Sequence, residues 1–541
     1  MNSSTDVLIV GAGPTGLTAA IQLARYGIPI RIIDKEPQRS DKSRALAVHA
    51  RTLEIFARLG LADQLIARGT RALHGNMNVN GRFIATMNFS DIGIDETPYP
   101  FILIVSQADT EQVLEAELSR LGVAVERPLT LTEFSQGDQG VSAQIEGDAG
   151  TELVRARYLV GADGAHSTVR HGCNLAFEGE KYSNDFLLAD VDIDWDRPYG
   201  QFHFFLGWDG IMAFFPLPGE KTFRIISTRS REESGGGEPT LEEFSRRVRN
   251  HCRIEPRLSN PRWLSLFRLH HRGVDRYRHM NAFVAGDAAH IHSPVGGQGM
   301  NTGIQDAWNL AWKLAMVLQT RAQPAILDSY HDERFPVGQK LLQFTDRLFS
   351  IIISRNWLVA LLRTYLVPVI APFATRSRAR RARLFRFVSQ TGIRYRSSQL
   401  GDESGVFRKG PKPGDRLPDT RLHRSDGSAT GLHQLLDGKR YCLLVFLGEG
   451  EQMSVSTDTT LGDFSDLITV VFISARLVAN TSPTLTDRQG VAHRRFGVDQ
   501  SGLYLIRPDD HVAFRCQGIS ASALQNYLAR FLLKTESEGV H

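Results

Sequence analysis

The stretch that decides the fold is Asp6-Val-Leu-Ile-Val10, followed at once by Gly11-Ala-Gly13-Pro-Thr-Gly16. The apolar run is typical of a buried parallel strand. Of the three glycines, the first permits a tight turn, the second lets the backbone approach a pyrophosphate, and the third allows close packing of a helix predicted over residues 17–26. Because a helix N-terminus offers free amides and a positive dipole end, this turn predicts a dinucleotide site. The predicted contacts are Gly11, Gly13, Pro14, Thr15 and Gly16.

A carboxylate follows at the distance that a ribose contact requires. Asp34 ends the second predicted strand, residues 29–33, and lies 23 positions after Gly11. An acid at this place accepts hydrogen bonds from ribose hydroxyls and favours FAD or NAD over NADP. Lys35, the next residue, is included among the predicted cofactor contacts. The alternative interpretation is a glycine-rich turn that binds nothing.

Two later segments indicate which of the two cofactors, FAD or NAD, the sequence favours. Gly161-Ala-Asp163-Gly164 and Gly286-Asp287-Ala-Ala-His290 each end an apolar strand on a carboxylate beside glycines. Asp163 is suited to a ribose or pyrophosphate, and Asp287 to the ribityl hydroxyls of a flavin. Residues 296–301 then open a long predicted helix, and the amides at its start stabilise negative charge on a reduced flavin ring. Since a nicotinamide has no ribityl chain, the two segments favour FAD.

The same segments carry a resemblance to a known family. The run from Gly286 to Lys313 resembles that of the class A flavoprotein aromatic monooxygenases, whose fold is that of p-hydroxybenzoate hydroxylase. The further matches are Ser43-Arg44-Ala, His49 to Glu54, Gln107 and Tyr330 to Arg334. The resemblance covers about residues 5–395 and is strongest with the branch of phenol, chlorophenol, hydroxyphenylpropionate and polyketide hydroxylases.

The resemblance implies an α/β fold in three parts. They are an FAD-binding Rossmann-like (GR2-type) domain, an inserted and mostly antiparallel β-sheet domain for the substrate, and a C-terminal thioredoxin-like domain. The expected boundaries are 1–180 and 280–397 for the FAD-binding domain, the second part with a helical cap, 181–279 for the substrate domain and 398–541 for the thioredoxin-like domain.

Roles for single residues follow from the resemblance. Arg44 is expected over the pyrophosphate, Gln107 at the ribityl chain, and Asp163 near the path of the nicotinamide. Leu46 departs from the pattern, since the phenol hydroxylases keep an acid there, and a base that would deprotonate a simple phenol is therefore missing. The expected catalytic positions are Pro294, which lines the place where oxygen reacts, Gly297 and His49. The further expected FAD contacts are Gly286, Asp287, Pro294, Gly299, Met300 and Asn301.

The activity that the resemblance implies is an FAD-dependent monooxygenation that consumes NAD(P)H and O2. An aromatic small molecule, phenolic or polycyclic as in polyketides, is hydroxylated through a flavin C4a-hydroperoxide. The alternative is a non-catalytic FAD-containing protein that binds an aromatic ligand. A halogenase is disfavoured because its tryptophan-rich signature and pocket lysine are not visible. A plain NAD dehydrogenase leaves the segment from Gly286 to Asn301 unexplained.

The middle of the chain is expected to hold the substrate. Residues 186–278 alternate like strands, and Asp209-Gly210 between two apolar runs is a strong hairpin signal. A sheet that closes over the flavin gives an aromatic-lined pocket poor in water. The predicted pocket residues are Phe202, Phe204, Phe214 and Pro216. The alternative is that these phenylalanines belong to the core.

Two histidine sites have different interpretations. His290 and His292 are spaced i, i+2, but they lie in a predicted loop with no third ligand nearby, and we predict no metal. His49 precedes a helix predicted over residues 50–59 that starts beside the flavin. Contact between His49 and the substrate is therefore a hypothesis.

Residues 351–373 are mostly apolar, and six arginines follow between positions 376 and 386. Arg355 and Arg363 interrupt the apolar run, and because a charge at a bilayer centre costs about 2.5–3.5 kcal/mol, we expect no transmembrane segment. One interpretation is a helical cap over the FAD-binding domain, with a homodimer contact and a solvated basic face. The other is association of residues 351–386 with an anionic membrane surface.

The last part of the chain begins a new pattern after residues 410–414. Apolar strands are predicted over 441–446 and 467–473, and a final helix over 522–534. This part resembles the thioredoxin-like domain of the branch named above. It has no Cys-x-x-Cys, so dithiol chemistry is excluded and a structural or oligomerising role remains.

Bulk properties fit an enzyme of this kind. The length of 541 residues predicts two to four domains. The net charge of +4 is too small to indicate a nucleic-acid partner. The four cysteines show no close spacing, and the first residues do not have the pattern of a signal peptide. These observations predict a cytoplasmic protein.

Overall fold

The structure is a computed structural model. It describes residues 2–40, 45–88, 92–93, 96–207, 210–230, 237–292, 296–354, 356–448, 460–475 and 484–534.

Strands and helices alternate through the first part of the chain. The elements up to residue 126 are β1 (Asn2–Val10), α1 (Pro14–Arg25), β2 (Ile30–Ile33), β3 (Ala47–Val48), α2 (Ala50–Arg58), α3 (Ala62–Arg68), β4 (Thr70–Ala72), β5 (His74–Val79), β6 (Arg82–Asn88), β7 (Ile102–Ile104), α4 (Gln107–Arg120) and β8 (Val125–Glu126).

The middle part is dominated by strands. Its elements are β9 (Thr130–Gly137), β10 (Gly140–Gly147), β11 (Gly150–Gly161), α5 (Thr168–Gly172), β12 (Phe177–Asp194), β13 (Phe202–Gly207), β14 (Gly210–Pro216), β15 (Thr222–Ser230), α6 (Leu241–Arg247), β16 (Arg257–Val274), β17 (Arg278–His279), β18 (Ala282–Val284) and β19 (His290–Ile291).

Four helices precede the last set of strands. These elements are α7 (Gly299–Leu318), α8 (Asp328–Ile353), α9 (Trp357–Arg376), α10 (Arg378–Val388), β20 (Asp402–Ser404), β21 (Arg421–His423), β22 (Ala429–Gly431), β23 (Tyr441–Leu447), β24 (Ile468–Ser474), β25 (Thr484–Thr486), α11 (Val491–Phe496), β26 (Gly502–Ile506), β27 (Val512–Gln517) and α12 (Ala521–Leu528).

The first sheet is mainly parallel and has the strand order β17-β18-β11-β1-β2-β8. Val10 of β1 lies opposite Ile33 of β2 and Gly161 of β11, and Gly161 lies opposite Val284 of β18. The helices α1 and α7 pack against each other. Because parallel strands end at a common edge, all three glycine segments of the sequence arrive at the same place.

The second sheet is mostly antiparallel, with the order β19-β16-β12-β15-β14-β13-β5-β6. The expected hairpin is present as β13 and β14, although residues 208–209 lie outside the described residues. The sheet is larger than the expected segment 181–279, because β12 begins at Phe177 and β5 and β6 join it from residues 74–88. β5 pairs in parallel with β13, a long-range pairing that no local sequence pattern indicates.

The third sheet has the thioredoxin-like arrangement expected of the C-terminal part. β23 pairs in parallel with β24 and antiparallel with β26, and β26 and β27 form a hairpin before α12. The final helix ends at Leu528 and not at residue 534. The chain leaves the helix because Leu533 donates its amide to the carbonyl oxygen of Arg321, and Leu532 bridges to Ala322.

The first and third sheets share one hydrophobic core. Trp308 and Trp312 of α7 are buried in it, and the ring of Trp312 meets Tyr441 of β23 edge-on at 6.0 Å. The C-terminal domain is therefore packed onto the helix that follows the third glycine segment.

Among the described residues, the structure has no helix with both the length and the apolar character that crossing a membrane requires.

Candidate active site

Two glycines of the first motif leave no room for a side chain. Gly11 has φ +100°, and a Cβ there would lie 2.3 Å from the carbonyl oxygen of Ala162. A Cβ on Gly16 would lie 1.9 Å from the carbonyl oxygen of Gly11. The turn after β1 therefore interlocks with the end of β11 and with the start of α1, as a dinucleotide-binding turn requires.

Gly13 differs, because a Cβ there would have nothing within 4 Å. It is the N-cap of α1, without a side-chain capping bond, and Pro14 stands at the first helical position. Amides at the start of a helix bind anions, and here they have open space and no side-chain acceptor beside them. These residues fit the pyrophosphate of FAD.

Asp34 is held against this turn by backbone amides. Its Oδ2 accepts a hydrogen bond from the amide of Ala12 at 2.6 Å, and its Oδ1 accepts one from Glu36 at 2.9 Å. The carboxylate is half-buried, whereas Lys35 is exposed. The contact of Asp34 with a ribose stays a prediction.

The second motif places a buried carboxylate at the same edge. Oδ2 of Asp163 accepts a hydrogen bond from the amide of Val169 at 3.2 Å, while Oδ1 is buried with no partner among the described atoms. Burial raises the pKa of Asp163, against hydrogen bonds from Ser167 and Val169 that lower it. An orphaned carboxylate oxygen fits a ligand that carries hydroxyl groups.

The third motif touches the first directly. A Cβ on Gly286 would lie 2.6 Å from Oγ1 of Thr15, and Gly303 of α7 approaches the same hydroxyl. Asp287 lies on the short turn Gly286–Ala288 and is exposed. The expected contact of Asp287 with a ribityl chain stays a prediction.

Sequence reasoning gave no role to Asp306, which fixes this third turn. The buried carboxylate accepts hydrogen bonds from the amide of Gly286 at 3.1 Å, from Nε2 of His290 at 2.7 Å and from Nε of Arg334 at 2.7 Å. The available signal was a carboxylate, Asp306, in a helix whose neighbouring positions are largely apolar, since buried acids are normally paired. Within the described residues no group of three or more His, Cys, Asp and Glu is arranged to hold a metal.

Asn301 ties the start of α7 to the segment before α2. Its Oδ1 accepts a hydrogen bond from the amide of His49 at 2.9 Å, and its Nδ2 donates to the carbonyl oxygens of Ala47 and Gly297, both at 2.8 Å. Gly297 has φ +62°, and a Cβ there would lie 2.9 Å from the Cβ of Ala47. The loop beginning at residue 296 is thus fixed close to α2.

His49 is the buried N-cap residue of α2. Its Nε2 lies 2.9 Å from the carbonyl oxygen of Gly296, which only accepts, so Nε2 carries the proton and Nδ1 is left as an acceptor. Nδ1 is buried and has no partner among the described atoms. Burial lowers the pKa of His49 to about 4, against hydrogen bonds to Gly296 and Gly297 that raise it. His49 is therefore neutral near pH 7.

Other expected cofactor residues lie around this loop. Gln107 is the first residue of α4, and its Nε2 donates to Glu111 at 2.8 Å. Gly299 and Met300 begin α7, three residues before the expected start at residue 302. Arg44 and Pro294 lie outside the described residues, and their roles stay predictions.

An apolar cluster fills the space between this loop and the second sheet. Its buried members are Leu46, Ala50, Ala72, Ile92, Ile102, Ile104, Phe202 and Phe385, and the side chains packed against them include Ala47, Met87, Phe204, Phe215, Leu217, Ala382 and Val388. Leu46 is 6% exposed, at the place where the phenol hydroxylases are expected to have an acid. The cluster forms the apolar wall next to His49 and Gly297.

Two of the four predicted pocket residues are on the other face of the sheet. Phe214 lies opposite His203 in the β13–β14 pairing and belongs to the cluster under α6. Pro216 is two residues further and shares its face, because alternate strand residues point the same way. The prediction grouped both with Phe202 and Phe204, and the alternation separates them.

Phe215 lies on the same face of the sheet as Phe202 and Phe204. Its ring centroid lies 5.7 Å from that of Phe202 and 5.9 Å from that of Phe204. The register of the β13–β14 hairpin decides this, because it pairs His203 with Phe214 and so puts odd positions of β14 on the face of even positions of β13.

Buried ion pairs connect α2 to the C-terminal domain. Arg51 and Arg58 donate to the two carboxylate oxygens of Asp510 at 2.8 Å and 3.0 Å. Glu54 accepts from Arg416 at 2.9 Å. The helix that begins at His49 is therefore positioned by residues more than 350 positions away.

A second buried group joins α7 and α8 to the same domain. Glu333 accepts from Lys313 at 2.8 Å and from Arg507 at 2.9 Å. Burial by itself raises the pKa of Glu333, but the charges of Arg507 and Lys313 outweigh it and lower the pKa to about 2.

Two protein families match the chain. Residues 4–345 match the FAD binding domain family, and residues 410–533 match the C-terminal domain of aromatic-ring hydroxylases. The chain belongs to the family of FAD-dependent aromatic-ring monooxygenases.

Individual relatives extend over most of the chain. It is 34% identical over 525 residues to the 6-methylpretetramide 4-monooxygenase of Streptomyces rimosus, covering 96% of this chain and 92% of that protein. It is 36% identical to the pentachlorophenol 4-monooxygenase of Sphingobium chlorophenolicum, covering 78% of this chain and 77% of that protein. The crystal structure of aklavinone-11 hydroxylase with FAD and aklavinone is similar with a TM-score of 0.76 at 25% identity, covering 98% of this chain and 99% of that one.

Proposed function

We propose that this FAD-dependent aromatic monooxygenase hydroxylates a polycyclic substrate of the polyketide type. The observation that carries the proposal is the apolar cluster, in which Leu46 stands where an acid would serve a simple phenol. Extended apolar walls with few polar groups suit a fused ring system. The relatives named for 6-methylpretetramide and aklavinone support this choice, and the one named for pentachlorophenol defines the competing phenolic substrate.

The residues of this chain bind and orient FAD. The amides at the start of α1 bind the pyrophosphate, Asp34 the adenosine ribose, and Asp163 and Asp287 the hydroxyls of the sugar chains. FAD, when bound and reduced by NAD(P)H, supplies the activation of O2 and the transfer of one oxygen atom. Residues 296–301 and the positive end of α7 stabilise negative charge at the flavin ring.

His49 and the apolar cluster act on the substrate side. His49 stays neutral, so its Nδ1 accepts a hydrogen bond from an N–H or O–H group of a bound ligand and does not remove a proton by itself. Phe202, Phe204 and Phe215 exclude water from the place of reaction. For Arg44 and Pro294 we keep the contacts with the pyrophosphate and the oxygen site that the resemblance implies.

The decisive experiment follows anaerobic bleaching of bound FAD by NADPH and by NADH, without and with single-ring phenols and polycyclic aromatics. We expect polycyclic compounds to accelerate bleaching, and oxygen from labelled O2 to enter the product. Acceleration by phenols alone would contradict the substrate class. Bound FAD that neither reductant bleaches with any compound would favour the alternative, a non-catalytic protein that binds an aromatic ligand.

A pair of variants at Leu46 isolates the argument about the missing acid. Leu46→Asp places a base in the pocket and should raise kcat/KM for a phenol relative to a polycyclic compound. Leu46→Asn introduces a side chain with the shape of aspartate but without a basic carboxylate, and it is the matched control. Equal changes in both variants would show that polarity, and not the base, selects the substrate.

Two further parts of the proposal concern partners and location. We propose that residues 351–386 form an association surface, for which a homodimer and an anionic membrane surface are the two candidate occupants. We place the enzyme in the cytoplasm, because its four cysteines are buried free thiols and its reductant is a cytoplasmic cofactor.

A further inference from the structure

Helix α9 turns its large apolar side chains away from the protein. The exposed ones are Trp357, Leu358, Leu361, Leu362, Tyr365, Leu366, Val369 and Ile370. The side chains that face inward are small, with Ala360 2% exposed and Thr364 7% exposed. A helix of a globular protein normally has the opposite arrangement.

The exposed positions form a single stripe. They occur as adjacent pairs at intervals of four residues, and residues four apart are neighbours on a helix surface. Trp357 and Tyr365, both 66% exposed, belong to it. A contiguous apolar surface of this kind marks a place of interaction.

The charge around the stripe is of one sign. No Asp or Glu occurs between Asp346 and Asp402, whereas this interval contains eleven arginines. Arg378, Arg380 and Arg383 of α10 are exposed directly after the apolar stripe. At the far end of the interval, Arg386 pairs with Glu96, and Arg394 and Arg396 pair with Asp415.

We propose that α9 and α10 dock, parallel to the surface, on a lipid bilayer that contains anionic lipid. The apolar stripe would enter the boundary between headgroups and acyl chains, while the arginines bind lipid phosphates. Trp and Tyr are the side chains enriched at such interfaces.

A second copy of the chain fits this surface less well. A twofold dimer places the same patch of both subunits against each other. It would bring the exposed arginines of two α10 helices, Arg378, Arg380 and Arg383 of each, towards each other, so that like charges meet. An anionic surface complements the charge of both helices.

The docked face adjoins the proposed substrate pocket. α9 packs on β6 and on β13, the strand of Phe202 and Phe204. Phe385 of α10 is a buried member of the apolar cluster. An apolar aromatic compound dissolved in the bilayer would meet the enzyme on this side. This route to the substrate rests on the proposed function, whereas docking does not.

The test is flotation of the full-length, FAD-loaded protein with vesicles of phosphatidylcholine alone or mixed with phosphatidylglycerol. We expect binding only to the mixed vesicles, and weaker binding at high salt. Arg378→Gln/Arg380→Gln/Arg383→Gln should lower the affinity on the order of a hundredfold, given the contribution of each cation near an anionic surface. The matched control, Arg408→Gln/Arg421→Gln/Arg424→Gln, removes the same charge from exposed positions of the C-terminal part and should bind like the wild type.

A second variant tests the apolar stripe. Leu362→Ser/Ile370→Ser should abolish flotation, whereas Val406→Ser, at an exposed position outside α9, should not. Flavin absorbance and the melting temperature show that each variant is folded. Equal binding to both vesicle types, or no binding to either, would overturn the proposal. A dimer in sedimentation that Leu362→Ser/Ile370→Ser dissociates would assign the surface to a second copy.

The route of the substrate has its own readout. With a polycyclic substrate held in mixed vesicles, the Leu362→Ser/Ile370→Ser variant should lose turnover while keeping wild-type kcat for substrate dissolved in detergent. Loss of turnover in both conditions would contradict the route and leave the flotation result unaffected.

Discussion

Two arginine-rich regions of this protein differ in how their charge is balanced. At the junction with the C-terminal domain, Arg51, Arg58, Arg416 and Arg507 are buried, and each bonds to a carboxylate. Between positions 347 and 401, eleven arginines occur without one carboxylate. Burial demands a matched partner because an unpaired buried charge is costly. Exposed charges are solvated by water and have no such requirement. Arg386, Arg394 and Arg396 pair with carboxylates from outside the interval, and the interval as a whole still has an excess of positive charge.

The largest effect is expected at the junction. Glu333→Ala leaves Arg507 and Lys313 buried without their carboxylate, and removal of one partner of a buried pair costs about 3–5 kcal/mol. Urea denaturation followed by flavin fluorescence measures the loss. Asp328→Ala removes the carboxylate of an exposed pair with Arg278 and is the control, with about 1 kcal/mol or less expected. Equal losses of stability in the two variants would contradict the distinction between the buried junction and the exposed region.

The second-largest effect is expected from acid, which should destabilise the junction with the C-terminal domain. The pKa of Glu333 is lowered from 4.5 to about 2 in the folded protein, so its contribution is complete above pH 4.5 and is lost as the pH falls towards 2. The shift corresponds to roughly 3 kcal/mol. Stability measured against pH should fall in this window, and Glu333→Gln should flatten the curve. An unchanged slope in that variant would assign the acid sensitivity to other carboxylates.

A smaller effect, closer to the cofactor, is expected from Asp510→Asn. The shape is kept, but the charge that pairs with Arg51 and Arg58 is removed, and hydrogen bonds to charged groups contribute about 1.5–3 kcal/mol. Because α2 begins at His49, we also expect faster release of FAD on dilution. Asp509→Asn is the control, because the Asp509 carboxylate bonds to Arg507, whereas Arg51 of α2 contacts only the backbone carbonyl oxygen of Asp509, which the substitution keeps. If only stability changed in Asp510→Asn, the junction would not position the cofactor loop.

The smallest effect on stability is expected in the exposed region. The triple variant Arg378→Gln/Arg380→Gln/Arg383→Gln should have the urea midpoint of the wild type, because substitutions at exposed positions usually change stability little. Its affinity for mixed vesicles should nevertheless fall on the order of a hundredfold. A clear drop in the midpoint would show that these arginines stabilise the fold.

At the cofactor end, the sequence indicated the local backbone geometry, because that geometry depends on residues at short spacing. The contacts with FAD stay predictions. Gly11 and Gly16 have no room for a Cβ, and Gly13 has open space, as their predicted roles require. The fold class followed for the same reason. A strand, a glycine turn and a helix form one local unit.

The substrate end was predicted less well, because it is assembled from distant segments. β5 joins the second sheet by pairing with β13 across more than 100 residues, and β6 joins it by pairing with β5. Phe214 and Phe215 are adjacent, and only the register of the hairpin decides which one faces the pocket. The anchoring of α2 by Asp510 spans 459 residues and has no local signal.

The junction also limits how members of this family recombine. A C-terminal domain that lacked Arg507 and Asp510 would leave Arg51, Arg58 and Glu333 buried without the partners they have here. In a chimaera, the C-terminal domain must therefore be exchanged together with α2, Lys313 and Glu333. Crossovers that respect this unit should yield folded chimaeras, while a cut at the domain border alone should not.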